Sequence, residues 1–208
     1  MTMVTQKTRK LANRRLPREQ LYRRIEEAAL ALFKQFGFEA VSVDQIVRRA
    51  RVSKGAFFVF FPTKADALIV YFRELDARLA ELRAQLNPQR PLPALKQFFV
   101  QAEQLLREEG DLVQTLSRVI WSHPMLMNAD RHSALRDRRG FAQFLEHARA
   151  HGTIRREVNP AIAADTLGDL WTGSLLLWLA DRQQYSFAES VAPKLQLLFR
   201  GIAAKEAR

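Results

Sequence analysis

One short stretch, Ser42–Lys64, constrains the fold of this chain more than any other. It reads SVDQIVRRARVSKGAFFVFFPTK, with apolar residues three and four positions apart, which is the spacing of a single buried helical face. Ser42 and Ser53 stand where each would cap a short helix. Pro62 ends the second helix, because the residue before a proline is pushed out of helical geometry. The stretch therefore predicts two short helices joined by a tight turn.

Two helices joined by so short a turn must cross steeply, which is helix-turn-helix geometry. The second helix, Lys54–Phe61, starts with a basic residue and follows three nearby arginines. Its N-terminal end can therefore enter a major groove of DNA while the arginines meet phosphates. Thr63 is predicted to cap a longer third helix, with Asp66 in the position of a capping-box acid.

The same residues resemble the DNA-binding signature of the TetR family of bacterial transcriptional regulators. RVSKGAFFVFF, followed by PTKADAL, is similar to the family's turn, its second helix and the start of the next helix. The resemblance covers about Pro17 to Phe72 and implies that Lys64 contacts a phosphate. The residues expected to face the groove or lie near phosphates are Arg48, Arg49, Ser53, Lys54, Ala56, Phe57, Phe58, Val59 and Lys64.

Three residues depart from the family pattern. Arg51 replaces a turn glycine, and because a left-handed backbone strains arginine more than glycine, we expect this turn to close differently. Phe58 replaces a tyrosine and has no hydroxyl to donate to a phosphate. Val59 replaces a polar residue that faces the groove, which suggests an apolar contact, for example with a thymine methyl group.

The charge of the chain is unevenly distributed. The formal net charge is +11, and residues 1–61 carry +8 of it, which favours a polyanionic partner. Residues 1–16 are predicted to be a basic flexible arm, in which Arg14 and Arg15 could enter a minor groove; a solubilising tail is the alternative. The chain has no cysteine and no apolar run of about 18 residues, so we expect a cytoplasmic location and no membrane span.

The rest of the chain predicts an all-α protein of about nine helices. Residues 17–62 should form the helix-turn-helix domain, and residues 63–208 a helical ligand-binding and dimerisation domain. A long helix starting at Thr63 should join the two parts. The later helices are expected at about Pro93–Glu109, Asp111–Trp121, Ala129–Ala150, Pro160–Asp181 and Phe187–Ala203.

The resemblance implies a cavity for a small ligand among the helices that follow residue 90. The candidates for its wall are Phe98, Trp121, Met125, Phe141, Phe144, Trp171 and Trp178, although an aromatic at helical spacing is more often a core residue. The last two helices resemble the family's dimerisation pair. Burial of their apolar faces within one chain is the alternative.

The expected function is that of a ligand-responsive repressor that binds a palindromic operator as a homodimer and is released by a small, largely apolar inducer. A transcriptional activator and a protein-interaction module with the same head remain alternatives. The sequence favours neither enzyme nor metal protein, and we predict no cofactor: it has no glycine-rich phosphate loop, no GxSxG and no HExxH. His147 and His151 lie one turn apart, without further candidate ligands at metal-site spacing.

Overall fold

The computed structural model describes residues 17–181 and 184–202, so the predicted arm at residues 1–16 lies outside the described part. Within those ranges the chain is helical and contains no strand, which confirms the all-α prediction. The described α-helices are α1 (Arg18–Phe36), α2 (Val43–Ala50), α3 (Lys54–Phe60), α4 (Ile69–Ala84), α5 (Pro91–Glu108), α6 (Asp111–Val119), α7 (Pro124–Ala150), α8 (Pro160–Ala180) and α9 (Phe187–Ile202). Short 3-10 helices occupy Ala65–Leu68 and Ile120–Ser122.

The chain divides into two compact units, which we call the head and the body. The head ends at Ala67, and the body begins at Leu68. In the head, α1 packs on both α2 and α3. Its core contains Phe33, Ile46 and Phe57, none of which is exposed to solvent. The apolar stripes of three short amphipathic helices thus meet in one small core.

Side-chain caps fix the ends of the head helices, as the sequence predicts. Ser42 Oγ accepts a hydrogen bond from the Gln45 backbone N–H at 3.2 Å, and the Ser42 N–H donates to Gln45 Oε1, which completes a capping box. Ser53 Oγ accepts from the backbone N–H of Ala56 at 3.1 Å. Each cap satisfies backbone donors that a helix start leaves unpaired.

The segment after Pro62 also begins with a reciprocal cap. Thr63 Oγ1 accepts from the Asp66 N–H at 3.2 Å, and the Thr63 N–H donates to Asp66 Oδ2 at 2.9 Å. The helix does not continue regularly from this cap, because Ala65–Leu68 is a 3-10 turn and α4 starts only at Ile69.

The turn between α2 and α3 closes in left-handed geometry. Arg51 has a φ of 55° and a ψ of 47°, which corrects the expectation of a different closure. The Arg51 and Val52 N–H groups donate to carbonyls of the last turn of α2, at Arg48 and Val47. These bonds compensate for the steric cost of placing an arginine in this region of backbone space.

Replacing Arg51 with glycine should therefore stabilise the protein. We expect the free energy of unfolding to rise by about 0.5–1 kcal/mol, because glycine adopts this geometry without a Cβ clash. Arg49→Gly is the matched control: it removes the same charge type from inside helix α2 and should lower stability by about 1 kcal/mol. Urea unfolding followed by circular dichroism measures both changes, and a loss of stability in Arg51→Gly would contradict the strain argument.

In the body, the long helix α7 packs against α4 and α8, while α9 packs on α5 and α8. Aromatic rings fill the space between α5, α8 and α9. The Phe99 and Phe187 ring centroids lie 5.5 Å apart, and Trp171 lies 5.6 Å from each of them. Aromatic pairs at this separation stabilise a core beyond their buried area.

Two helices of the body start earlier than predicted. α7 begins at Pro124, not near Ala129, and α5 begins at Pro91, not at Pro93. In both cases a proline marks the first turn of a helix, where its missing N–H is not needed. The sequence prediction took Pro124 only as the stop of the preceding helix.

Two glycines of the body lie directly beneath arginine side chains. A Cβ on Gly168 would lie 3.1 Å from Arg138 Cγ, and a Cβ on Gly140 would lie 3.2 Å from Arg83 Nε. Both distances are shorter than ordinary van der Waals contact. The absence of a side chain at these two positions therefore lets each arginine lie across the neighbouring helix.

Across residues 17–181 and 184–202, no single helix is both long and apolar enough to cross a membrane. The segments Lys54–Phe60 and Ala65–Ala84 reach that threshold only when they are counted together, as a bent pair. Buried core helices reach it as well, so this is weak evidence for a span.

Candidate nucleic-acid interface and ligand cavity

Helix α3 presents an exposed face that is partly apolar and partly basic. Val59 is 65% exposed and Phe58 is 44% exposed, although both are large apolar residues. Ser53 and Lys54 lie at the N-terminal end of the same helix and are exposed, and Ala56 is half-buried. A short capped helix with this face can lie in a groove and contact both base edges and thymine methyl groups.

Phe57 is not part of this face, which corrects its predicted role at the DNA. Its side chain is fully buried, and its ring lies 5.4 Å from that of Phe61. Tyr22 of α1 lies 5.6 Å from the same Phe61 ring. Phe57 therefore anchors α3 to the head, and it acts on the exposed face only by fixing the orientation of the helix.

The cations around α3 are exposed but differ in their contacts. Arg48 and Arg49 lie on the exposed side of α2, in its last turn. Lys54 Nζ lies 2.9 Å from Asp44 Oδ1 in a solvent-exposed ion pair, which is weak enough to exchange for a phosphate. The two arginines and the lysine together give α2 and α3 a positive rim.

Lys64 has a structural role within the head. Its ammonium group donates to the Phe38 carbonyl at 2.9 Å and lies 4.1 Å from the centre of the Phe38 ring. An ammonium group has three donors, so one can bind the carbonyl while the others remain available. The head thus holds Lys64 in place and leaves it able to approach a phosphate.

The body contains a partly open cavity of about 630 Å³, lined by side chains of α4 to α8. This volume is within the range of small-molecule sites. Most of the wall is apolar, with Leu75, Leu116 and Leu175 among its residues. A cavity of this size and polarity can bind an organic molecule of moderate size.

Two of the predicted wall residues, Trp121 and Trp171, line this cavity. The other five do not: Phe98, Met125, Phe141, Phe144 and Trp178 lie outside the wall. Phe98, Phe141, Phe144 and Trp178 are buried core residues. Trp178 is fully buried, and its indole N–H donates to the Tyr185 carbonyl at 2.8 Å. These four side chains pack in the core of the body and are not part of this cavity wall.

The sequence analysis missed four carboxylates on the cavity wall: Asp76 on α4, Asp130 and Asp137 on α7, and Asp169 on α8. Burial raises the pKa of Asp137 to about 6, against the opposing charge of Arg83, and it also raises the pKa of Asp130, with a further contribution from Asp76. Asp130 and Asp137 are seven residues apart and share one face of α7. Two acidic residues at this spacing on one helix can be found from the sequence alone, so this pattern could have indicated a polar part of the wall.

Two of these carboxylates join α4 to α7. Asp76 accepts hydrogen bonds from Ser133 and Arg136, and Asp137 forms an ion pair with Arg83 of α4. The polar contacts between the two helices therefore run along the cavity wall. In the described part of the chain, no three His, Cys, Asp or Glu side chains are grouped so as to hold a metal ion.

A family model described as "Bacterial regulatory proteins, tetR family" matches residues 25–69. The transcriptional regulator AcuR of Cereibacter sphaeroides is 30% identical over 182 residues, which cover 83% of each protein. The HTH-type transcriptional repressor KstR of Rhodococcus jostii is 28% identical over 177 residues, covering 84% of this chain and 79% of that protein.

The fold is similar to that of solved regulators. The crystal structure of Thermus thermophilus FadR, a TetR-family transcriptional repressor in complex with lauroyl-CoA, aligns with a TM-score of 0.66 at 30% identity. The alignment covers 92% of this chain and 97% of that one. SmeT, the repressor of a Stenotrophomonas maltophilia multidrug efflux pump, aligns with a TM-score of 0.62 at 18% identity and supports the fold alone.

Proposed function

This chain belongs to the TetR family of bacterial transcriptional regulators, and we propose on that basis that it is a homodimeric repressor of a palindromic operator, released by a small, largely apolar ligand. Its relatives are regulators of transcription, and the chain is not an enzyme. The observation that carries the proposal is the exposed face of α3. Val59 and Phe58 expose apolar side chains to water on a capped helix that starts with a basic residue. A DNA groove offers such side chains apolar contacts, for example with thymine methyl groups.

The positive rim supports the phosphate contacts. Arg48 and Arg49 precede the turn, and Lys54 and Lys64 stand at the starts of the two following segments. Contacts of this type position a protein on DNA and make affinity depend strongly on salt, whereas the groove-facing residues of α3 supply the preference for sequence.

The last two helices support pairing with a second copy of the chain. Leu177 of α8 is 64% exposed and Leu197 of α9 is 72% exposed. Exposed small residues accompany them, with Gly173 one turn from Leu177 and Gly201 one turn from Leu197. Large exposed leucines next to small residues suit close helix packing across a two-fold axis, where one patch meets its own copy. A dimer would place two heads on the two halves of a palindrome.

The cavity supports a ligand switch. Its wall includes α4, which follows the head directly in the chain, and α7, to which α4 is tied by Asp76 and Arg83. A ligand that binds better when α4 has shifted against α7 would weaken DNA binding by linkage. A coupling of about 1–3 kcal/mol is enough for a useful switch.

The test is binding of the purified protein to DNA from upstream of its own gene. Fluorescence anisotropy at two salt concentrations, with scrambled DNA as competitor, should show tight binding that the competitor does not reverse. Light scattering of the complex should give two or more chains per site. If scrambled DNA competed equally and binding disappeared at the higher salt concentration, the protein would bind DNA only through non-specific contacts between basic residues and phosphates. The operator proposal would then be wrong.

A further inference from the structure

The cavity wall is mostly apolar, but its charged residues are mainly acidic. Asp76, Asp130, Asp137 and Asp169 line it, against two cationic residues, Arg131 and Arg138. Arg138 is already paired, with Asp169 at 2.6 Å and Asp165 at 3.3 Å. Arg131 is exposed to solvent. The interior of the cavity therefore has more anionic than cationic groups.

The carboxylates differ in how the protein neutralises them. Asp76 is bound by Ser133 and Arg136, and Asp137 by Arg83. Asp130 has neither an ion pair nor a hydrogen bond to its side chain within residues 17–181 and 184–202. It is half-buried, and it stands close enough to Asp76 for the two negative charges to interact. A desolvated carboxylate beside another carboxylate is stabilised by a cation.

The aromatic residues of the wall also favour a cation. Trp121 and Trp171 both line the cavity, and Trp121 is 53% exposed although it is a large apolar side chain. The face of an indole ring attracts cations, most strongly where water is excluded. Two tryptophan side chains and a carboxylate without a partner thus line one cavity whose remaining wall is mostly apolar.

We propose that the ligand of this cavity is an amphipathic organic cation, whose protonated amine or quaternary ammonium group binds Asp130 beside Asp76 while its apolar body lies against the leucines and tryptophans. This inference rests on the proposed ligand-responsive function and names the ligand class. The overall charge of the protein strengthens the argument. Of the +11, residues 1–61 carry +8 and residues 62–208 carry +3, so the net charge of the body does not favour a cation and any such preference must come from the local wall.

The test compares ligands that share one apolar body and differ only in the head group. Dodecyltrimethylammonium, dodecanol, dodecanoate and lauroyl-CoA all carry the same twelve-carbon chain. Each can be titrated calorimetrically below its solubility limit or micelle concentration. The ammonium compound should bind about ten-fold or more tightly than the alcohol, because a charge-assisted contact adds to the shared apolar one. Equal affinities, or tighter binding of either anion, would overturn the proposal.

Asp130→Asn tests the residue itself. It keeps the shape of the side chain and removes its charge, so the preference for ammonium over alcohol should fall by about ten-fold while alcohol binding is unchanged. Glu157→Gln removes an exposed charge outside the cavity and should leave every affinity as it is. If Asp130→Asn retained the full ammonium preference, the assignment of the cation to Asp130 would fail.

A parallel assay of DNA release separates this inference from the function on which it rests. If the alcohol or either anion releases the operator and the ammonium compound does not bind, the cation assignment is wrong and the ligand-responsive function stands. If the ammonium compound binds through Asp130 but leaves the DNA complex intact, the ligand class is supported and the switch is not.

Discussion

Replacement of Val59 with glutamate is expected to lower operator affinity by about 100-fold or more, because an unpaired carboxylate would be buried against base edges and near phosphates. Val59 is 65% exposed, so the change removes no core contact, and the free energy of unfolding should move by less than about 0.5 kcal/mol. Anisotropy with labelled operator and urea unfolding measure the two quantities.

Val100→Glu is the matched control for this prediction. Val100 is 56% exposed on α5 of the body, so the same substitution adds the same charge to the protein at a site outside the head. Its operator affinity should fall by no more than a few-fold, the size of a general field effect. If Val59→Glu bound the operator with wild-type affinity, the exposed face of α3 would not contact the DNA.

Replacement of Glu103 with glutamine should destabilise the body by about 2 kcal/mol, because several donors would lose a charged acceptor. One oxygen of this nearly buried carboxylate accepts from the Ser186 hydroxyl and the Ala188 N–H, each at 2.9 Å, and the other accepts from Arg107. These bonds hold the start of α9 on α5. Glu81→Gln, at an exposed position of α4, should change stability by less than about 0.5 kcal/mol.

The effect of Glu103→Gln should depend on pH in a definite direction. Burial alone would raise the pKa of Glu103, but the Ala188 N–H, Arg107 and the Ser186 hydroxyl outweigh it and hold that pKa below its ordinary value. A lowered carboxyl pKa contributes stability above its unfolded value, and this contribution is lost as the pH falls through the folded value. Urea unfolding should therefore show the full difference at neutral pH and a shrinking one below about pH 4. A difference independent of pH would mean that the charge of Glu103 has no part in it.

The parts of the fold that local chemistry specifies could be predicted from the sequence. Ser42 and Ser53 cap α2 and α3 as expected, since a cap depends on residues only three positions apart. The geometry at Arg51 was not predictable from residue preference. There the hydrogen bonds of Arg51 and Val52 to α2 override the intrinsic preference of an arginine backbone.

The ligand cavity was predicted less well, for a physical reason. An amphipathic pattern predicts which side of a helix faces the rest of the protein. It does not predict whether a residue on that side packs in the core, as Trp178 and Phe98 do, or lines a cavity, as Trp121 does. The distinction depends on how the helices are spaced, which is set by packing over long sequence distances. Polar residues on an otherwise inward face carry more information, and Asp130 and Asp137 were such a signal on α7.

The two glycines beneath arginines have an evolutionary consequence. A Cβ at position 168 would press on the stem of Arg138, and one at position 140 on Arg83, so a substitution at either glycine requires a shift of an arginine that is paired with Asp169 or Asp137. Among relatives, a larger residue at either position should accompany a shorter or uncharged residue at its arginine partner. We therefore expect positions 138 and 168 to covary, and likewise positions 83 and 140. The spacing between helices of the body would then change among relatives through paired substitutions.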